Sequence, residues 1–105
     1  MIEQKIAASE LLLAERLGEA RFQVHVLIGL PQKIGEDPEE WATPVGLSPL
    51  YNKLHDAHGG SSVQSLCLAI RLIYMLLQDF LDKGGKLFYD SGEAFDLQAN
   101  FGSSS

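Results

Sequence analysis

One run of the chain constrains the fold more than any other, Ser61 to Lys83. Ser61 with Gln64 three residues on is a capping-box pattern, in which each residue satisfies a free amide at a helix start. Gly84 and Gly85 stand where a left-handed C-cap belongs. Between these ends the apolar spacing is helical. At about 100° per residue, Leu66, Ala69, Ile70, Ile73, Leu77 and Phe80 gather on one side. Val63, Cys67, Tyr74 and Leu81 lie along its margin, and Gln64, Arg71, Gln78 and Asp82 lie opposite. A helix with so broad an apolar face needs a sheet or other helices to cover it.

The rest of the chain supplies strands. Phe22, Val24, Val26 and Ile28 alternate with Gln23, His25, Leu27 and Gly29, the period of a strand with one apolar face. Ser9–Arg16 reads as its partner, joined through the short segment Leu17-Gly18-Glu19-Ala20. A third strand is expected over Trp41–Leu47, with Trp41, Thr43, Val45 and Leu47 on one face. Pro44 lacks an amide donor and marks it as an edge. Ser48-Pro49 followed by Leu50, Tyr51 and Leu54 predicts a short helical turn, and Lys86–Tyr89 a last strand. Phe95, Leu97, Ala99 and Phe101 alternate with polar residues and predict an extended tail docked at least as far as Leu97. The acidic run Glu36–Glu40 reads as a solvated loop, and Gly102–Ser105 as a disordered end. The expected fold is one α+β domain over residues 1–101. It is a two-layer sandwich in the order β-β-β-α-β, a mainly antiparallel sheet of about four strands carrying one long helix.

Charge and cysteine usage narrow the partners. The 105 residues hold eight basic and fourteen acidic side chains, a net charge of −6. Nucleic acids and anionic membranes demand a basic face, so neither is expected. The longest unbroken apolar run, Leu72–Leu77, falls short of the ~20 residues of a membrane span. One cysteine forms no internal disulfide, which fits a reducing, cytoplasmic setting. An acidic surface steers toward a basic protein partner.

Candidate chemistry is sparse. His55-Asp56-Ala57-His58 puts two imidazoles and a carboxylate within four residues, a ligand or metal set if a further donor converges on it. Trp41 and Tyr51 are candidates to wall an apolar pocket beside it. Against this stands a solvated loop. Cys67 has only Arg71 near it in the chain and lacks an activating base. Ser61 and Ser62 sit where amides hold anions, but capping accounts for them. No phosphate loop, dinucleotide fingerprint, zinc helix or nucleophile elbow is present. No catalytic residue and no cofactor are expected.

Three residues depart from this bland picture. Leu68, Leu72 and Met75 fall on or beside the polar side of the helix, at i, i+4, i+7. Either the C-terminal tail or the loop around Trp41 covers them, or they form an exposed seam for a homodimer or a partner helix, or they are scattered exposed residues with no role. Ile28-Gly29-Leu30-Pro31, Trp41-x-Thr43-Pro44 and the helix opening Ser62-Val63-Gln64-Ser65-Leu66 resemble a family of small bacterial domains of unknown function. The resemblance spans about residues 6 to 97 and implies the single-helix fold. It brings no catalytic residues. Two functions follow: a non-catalytic interaction or accessory protein, immunity-like or regulatory, or a small-ligand binder built on His55, Asp56 and His58.

Overall fold

The computed structural model describes residues 5–102. Most of the expected disordered end, residues 103–105, lies outside them. Strands β1 (Ile6–Glu15) and β2 (Phe22–Gly29) form the expected hairpin, paired from Ile6 opposite Gly29 to Ala14 opposite Phe22. Leu12, Ala14, Val24, Val26 and Ile28 all point inward and are buried. The opposite parity (Leu11, Leu13, Gln23, His25 and Leu27) faces out, half-buried or exposed. Arg21 stacks 3.9 Å from the Phe88 ring centre on that side and pairs with Glu15 at 3.0 Å.

After β2 the chain departs from the single expected sheet. β3 (Gln32–Glu36) and β4 (Glu39–Thr43) pair with each other, and β5 (Val45–Ser48) returns to β2. The expected third strand is thus two strands in two sheets, divided at Pro44. The alternation runs unbroken through the proline, so only its missing amide marks the change. Gly29 N–H donates to Pro44 O at 2.8 Å and carries the pairing across the divide. β2–β3 and β4–β5 therefore make one long antiparallel ribbon. Its tip is Asp37-Pro38. The acidic run expected as a loop is this tip: Glu36 ends one strand, and Glu39 and Glu40 begin the next.

The short helical turn expected after Ser48 is a single turn, four residues from acceptor to donor, that does not continue as a helix. Tyr51 N–H donates to Leu47 O at 2.8 Å, a turn that folds the chain back beside β5. Leu50, Tyr51 and Leu54 still pack against the core. β6 (Ala57–Gly59), expected as loop, adds to β4 and completes a three-stranded sheet, β3-β4-β6.

Helix α1 (Ser62–Asp82) starts and stops where its caps dictate. Ser61 Oγ accepts from Gln64 N–H at 3.1 Å. Gln64 reaches back to the Gly60 amide, one residue before the amide of an ideal capping box. Gly84 takes φ +93°, a conformation only glycine adopts freely. Ser65, Ala69, Ile73, Leu77 and Phe80 are buried, with Leu66, Ile70 and Leu76 half-buried beside them. Each fully buried Leu or Ile contributes about 1.5–3 kcal/mol.

β7 (Lys86–Tyr89) pairs with Leu12–Glu15 of β1 and completes a four-stranded antiparallel sheet, β5-β2-β1-β7. The fold is α+β, with α1 packed across this sheet and the smaller one beside it. The tail is docked as expected but not wholly extended. Glu93–Phe95 runs beside β7, through Tyr89 N–H to Glu93 O at 2.7 Å and Phe95 N–H to Leu87 O at 3.0 Å. Asp96 then caps a short helix, α2 (Leu97–Phe101), by accepting from Ala99 N–H at 3.0 Å. The alternation that suggested a strand also fits this helix, because Leu97 and Phe101 are four apart. Phe101 meets Tyr74 of α1 with ring centres 6.1 Å apart.

α1 is long and apolar enough to cross a membrane by length and composition. The core helix of a globular fold meets the same test, and here its inner face is packed on the sheet.

Candidate interaction surface

The apolar excess on α1 has one covered flank and one open flank. On the first, Ile70 and Tyr74 are half-buried beneath α2. On the second, Leu68 is 42% exposed and Met75 57% exposed, while Leu72 is half-buried. Neither the C-terminal tail nor the segment around Trp41 hides Leu68 or Met75. β4 and β6 do pack on α1, and Ser65 is the contact that seats them: its hydroxyl lies 2.9 Å from that of Thr43, both fully buried.

The open surface is wider than the three-residue stripe. Val63 is 69% exposed. Cys67 is also exposed, not tucked against the core margin as its helical angle suggested. Helical spacing places Cys67 and Leu68 one turn before Arg71 and Met75 one turn after it, with Val63 a further turn before Cys67, and Arg71 is itself exposed. Among the described residues no carboxylate pairs with Arg71. A hollow of about 170 Å³ lies beside it, lined by Ile70, Arg71, Tyr74, Met75, Phe101 and Gly102. A guanidinium flanked by apolar side chains, next to a small hollow, has the composition of an interface centre. Sequence reading missed Val63, Cys67 and Arg71 because it measured each against the core face only. The signal was present in the i, i+4 row of Val63, Cys67, Arg71 and Met75, with Leu68 three residues before Arg71.

The alternative site does not assemble. His55 and Asp56 are exposed ahead of β6. His58, on β6, hydrogen-bonds through Nδ1 to Glu40 Oε1 at 2.9 Å. Among the described residues no group of three or more His, Cys, Asp or Glu side chains is placed to hold a metal ion. Trp41 donates its indole N–H to Glu39 at 2.6 Å and does not meet Tyr51 in a common pocket. Tyr51 lines a separate cleft of about 280 Å³ with Arg16, Leu50, Asp79, Phe80 and Lys83. There Lys83 Nζ sits 2.9 Å from Asp79 Oδ2, and the Tyr51 hydroxyl donates to the same oxygen at 3.4 Å. The Lys83 hydrogen bond holds the Asp79 carboxyl below its ordinary range, and the same contact raises Lys83. Arg16 lies over the rings of Phe22 and Phe80, at 5.1 and 5.9 Å. It stands beside the C-terminus of α1, where cations complement the helix dipole.

A third cavity, about 390 Å³, opens between the sheet and the two helices. Val26, Ile28 and Leu12 form its floor, and Ile70, Phe95 and Phe101 its walls.

No protein-family model, no curated protein and no solved structure matches this chain.

Proposed function

We propose that the protein is a non-catalytic interaction module, an accessory or regulatory partner that docks through the outer face of α1. The observation that carries this reading is the exposed apolar row of Val63, Cys67, Leu68 and Met75 along α1, interrupted by Arg71. Exposing such a row to water is unfavourable, and contiguous patches of this kind mark interaction sites. The partner's chemistry follows from charge. A chain of net −6 draws a basic protein toward it. At contact, the partner presents an apolar patch whose backbone carbonyls accept from Arg71, and one apolar side chain fills the hollow beside Met75. An immunity or regulatory role fits this design, since both act by occluding a partner without chemistry.

The test is capture from the native host with the intact chain and with Leu68→Glu/Met75→Glu. Both positions are exposed, so the fold should tolerate the changes. A protein retained by the intact chain, lost with the double variant and kept by Leu17→Glu supports the reading. Leu17 is 96% exposed and lies far along the chain from the patch, so it controls for added charge. Equal capture by all three removes α1 as the docking face.

A further inference from the structure

β1 is bonded on both sides over only part of its length. β2 pairs along it from Ile6 to Ala14, whereas β7 reaches only Leu12 to Glu15. Among the described residues, the stretch Ile6–Leu11 therefore has a strand on one side alone, and every residue from Ile6 to Glu10 is exposed. Beyond the end of β5, Phe22–Val24 of β2 likewise has β1 alone beside it, while the two outer strands are covered in part. Glu93–Phe95 covers β7, and the turn at Tyr51 folds against β5. An open edge with free amides and carbonyls is a template for another strand.

The charges on this edge say which strand. Ile6 lies opposite Gly29 and Ala8 opposite Ile28, so Ala7 is one residue in excess, a bulge. The bulge resets the alternation. Leu30 N–H donates to Lys5 O at 3.1 Å, so Lys5 stands opposite Leu30, on the same face as Ala8 and Glu10. The free edge thus carries a cation at one end and an anion at the other, with Ala7, Ala8 and Ser9 between them. A strand of this kind is its own complement when reversed. With Ala8 opposite Ala8 of a second copy, Glu10 is two ladder steps from the centre in one direction. Lys5 is two ladder steps away in the other, because the bulge absorbs one residue. Each Lys5 then meets the other copy's Glu10. A parallel pairing would set lysine beside lysine and glutamate beside glutamate.

We propose that two copies of this chain associate edge to edge through Ile6–Leu11 of β1, antiparallel about a two-fold axis. The two four-stranded sheets become one of eight strands. This local neutrality contrasts with the chain's net −6, which would repel a second copy at most other approaches. The paired edges also close the mouth of the apolar cavity, whose rim includes Ala8, Ser9 and Glu10.

Sedimentation velocity on the intact chain, over micromolar to millimolar concentration, tests this. The expected species at high concentration has twice the 11.5 kDa chain mass. Glu10→Lys alone, or Lys5→Glu alone, sets like charges opposite each other at both symmetric contacts. Each should raise the dimer dissociation constant about tenfold or more. The exchange Lys5→Glu/Glu10→Lys should restore it, and circular dichroism checks that every variant is folded. Leu68→Glu should leave the dimer intact, which separates this edge from the helix face. The proposal falls if the intact chain stays monomeric throughout, including if the edge takes only an unrelated extended peptide. It falls equally if single reversals do nothing, if the exchange fails to rescue, or if Leu68→Glu dissolves the dimer.

Discussion

The most demanding position in this molecule is Ser65. Its hydroxyl is fully buried, donates to Ser62 O at 3.1 Å and accepts from Thr43 at 2.9 Å. The two residues are unequal partners. Thr43→Val leaves Ser65 still bonded to Ser62, so the cost should be about 0.5–1.5 kcal/mol. Ser65→Ala strands the Thr43 hydroxyl in a dry interface, and should cost about 1–3 kcal/mol. The double variant should be no less stable than Ser65→Ala alone, which urea denaturation of the four proteins measures. The close approach at this spot also fixes Gly59. A Cβ there would lie 2.7 Å from Ser65 N, against backbone that cannot swing aside. Gly59→Ala should therefore destabilise by about 1–3 kcal/mol, as overpacking does. At the other end of α1 the Asp79–Lys83 pair predicts a pH effect. The Lys83 contact holds Asp79 below the ordinary aspartate range, so its favourable contribution is complete above that range and is lost as pH falls through the lower, folded value. Carboxyl NMR should find Asp79 titrating below an ordinary aspartate, and Lys83→Met should return it toward the usual range.

Elements differ in how far their signals are local, and that decided which were legible. The caps of α1 need only Ser61, Gln64 and Gly84, all within a few residues of the ends they define, so both ends were readable. The β1–β2 hairpin was readable for the same reason. Partition between two sheets is a tertiary matter. Trp41–Leu47 alternates without a break, and apart from the missing amide of Pro44 nothing local says that Thr43 belongs to one sheet and Val45 to another. β6 is three residues long and owes its strand geometry to β4 and α1, so its own sequence looked like loop. On α1, the stripe of Leu68, Leu72 and Met75 was visible from spacing, but its half-buried middle was not. For that reason Leu72→Glu is a poor probe of docking, because it also strains the fold. Leu68→Glu and Met75→Glu should each change stability by no more than about 0.5 kcal/mol, the usual range for surface substitutions. α2 tests how a short helix depends on its cap. Asp96→Ala removes the acceptor for Ala99 N–H and should cost about 1 kcal/mol. Because α2 carries Phe101 onto Tyr74, the change should also shift Tyr74 ring resonances, whereas a silent Tyr74 would mean that Phe101 docks without its helix.

At the scale of the whole molecule, shape and charge act together. The radius of gyration is 14.9 Å, against about 13 Å for a compact domain of ~100 residues. The principal extents, 50 × 39 × 21 Å, describe a flat, elongated body. The two-sheet arrangement is one cause, since the ribbon of β2–β3 and β4–β5 leaves the main sheet at Pro44 and ends in an acidic tip. Glu36, Asp37, Glu39 and Glu40 are all exposed there, and the described cationic partners are Lys33, 3.2 Å from Glu36, and His58 beside Glu40 when its imidazole is protonated. The described ion pairs all involve partly or largely exposed side chains, and such pairs contribute little. Added salt screens two opposed effects: these few weak attractions, and the mutual repulsion of a chain of net −6. Water weakens both, but the close attractions are few while a net charge of −6 leaves the sum over all pairs repulsive, so repulsion is the larger of the two. Melting temperature should therefore rise with sodium chloride from low to moderate concentration at neutral pH. Asp37→Lys, at the tip and clear of the described ion pairs, should raise the low-salt melting temperature and flatten the salt response. A melting temperature that falls with salt would mean that the ion pairs outweigh the repulsion and that the acidic tip is stabilised by contacts within the chain.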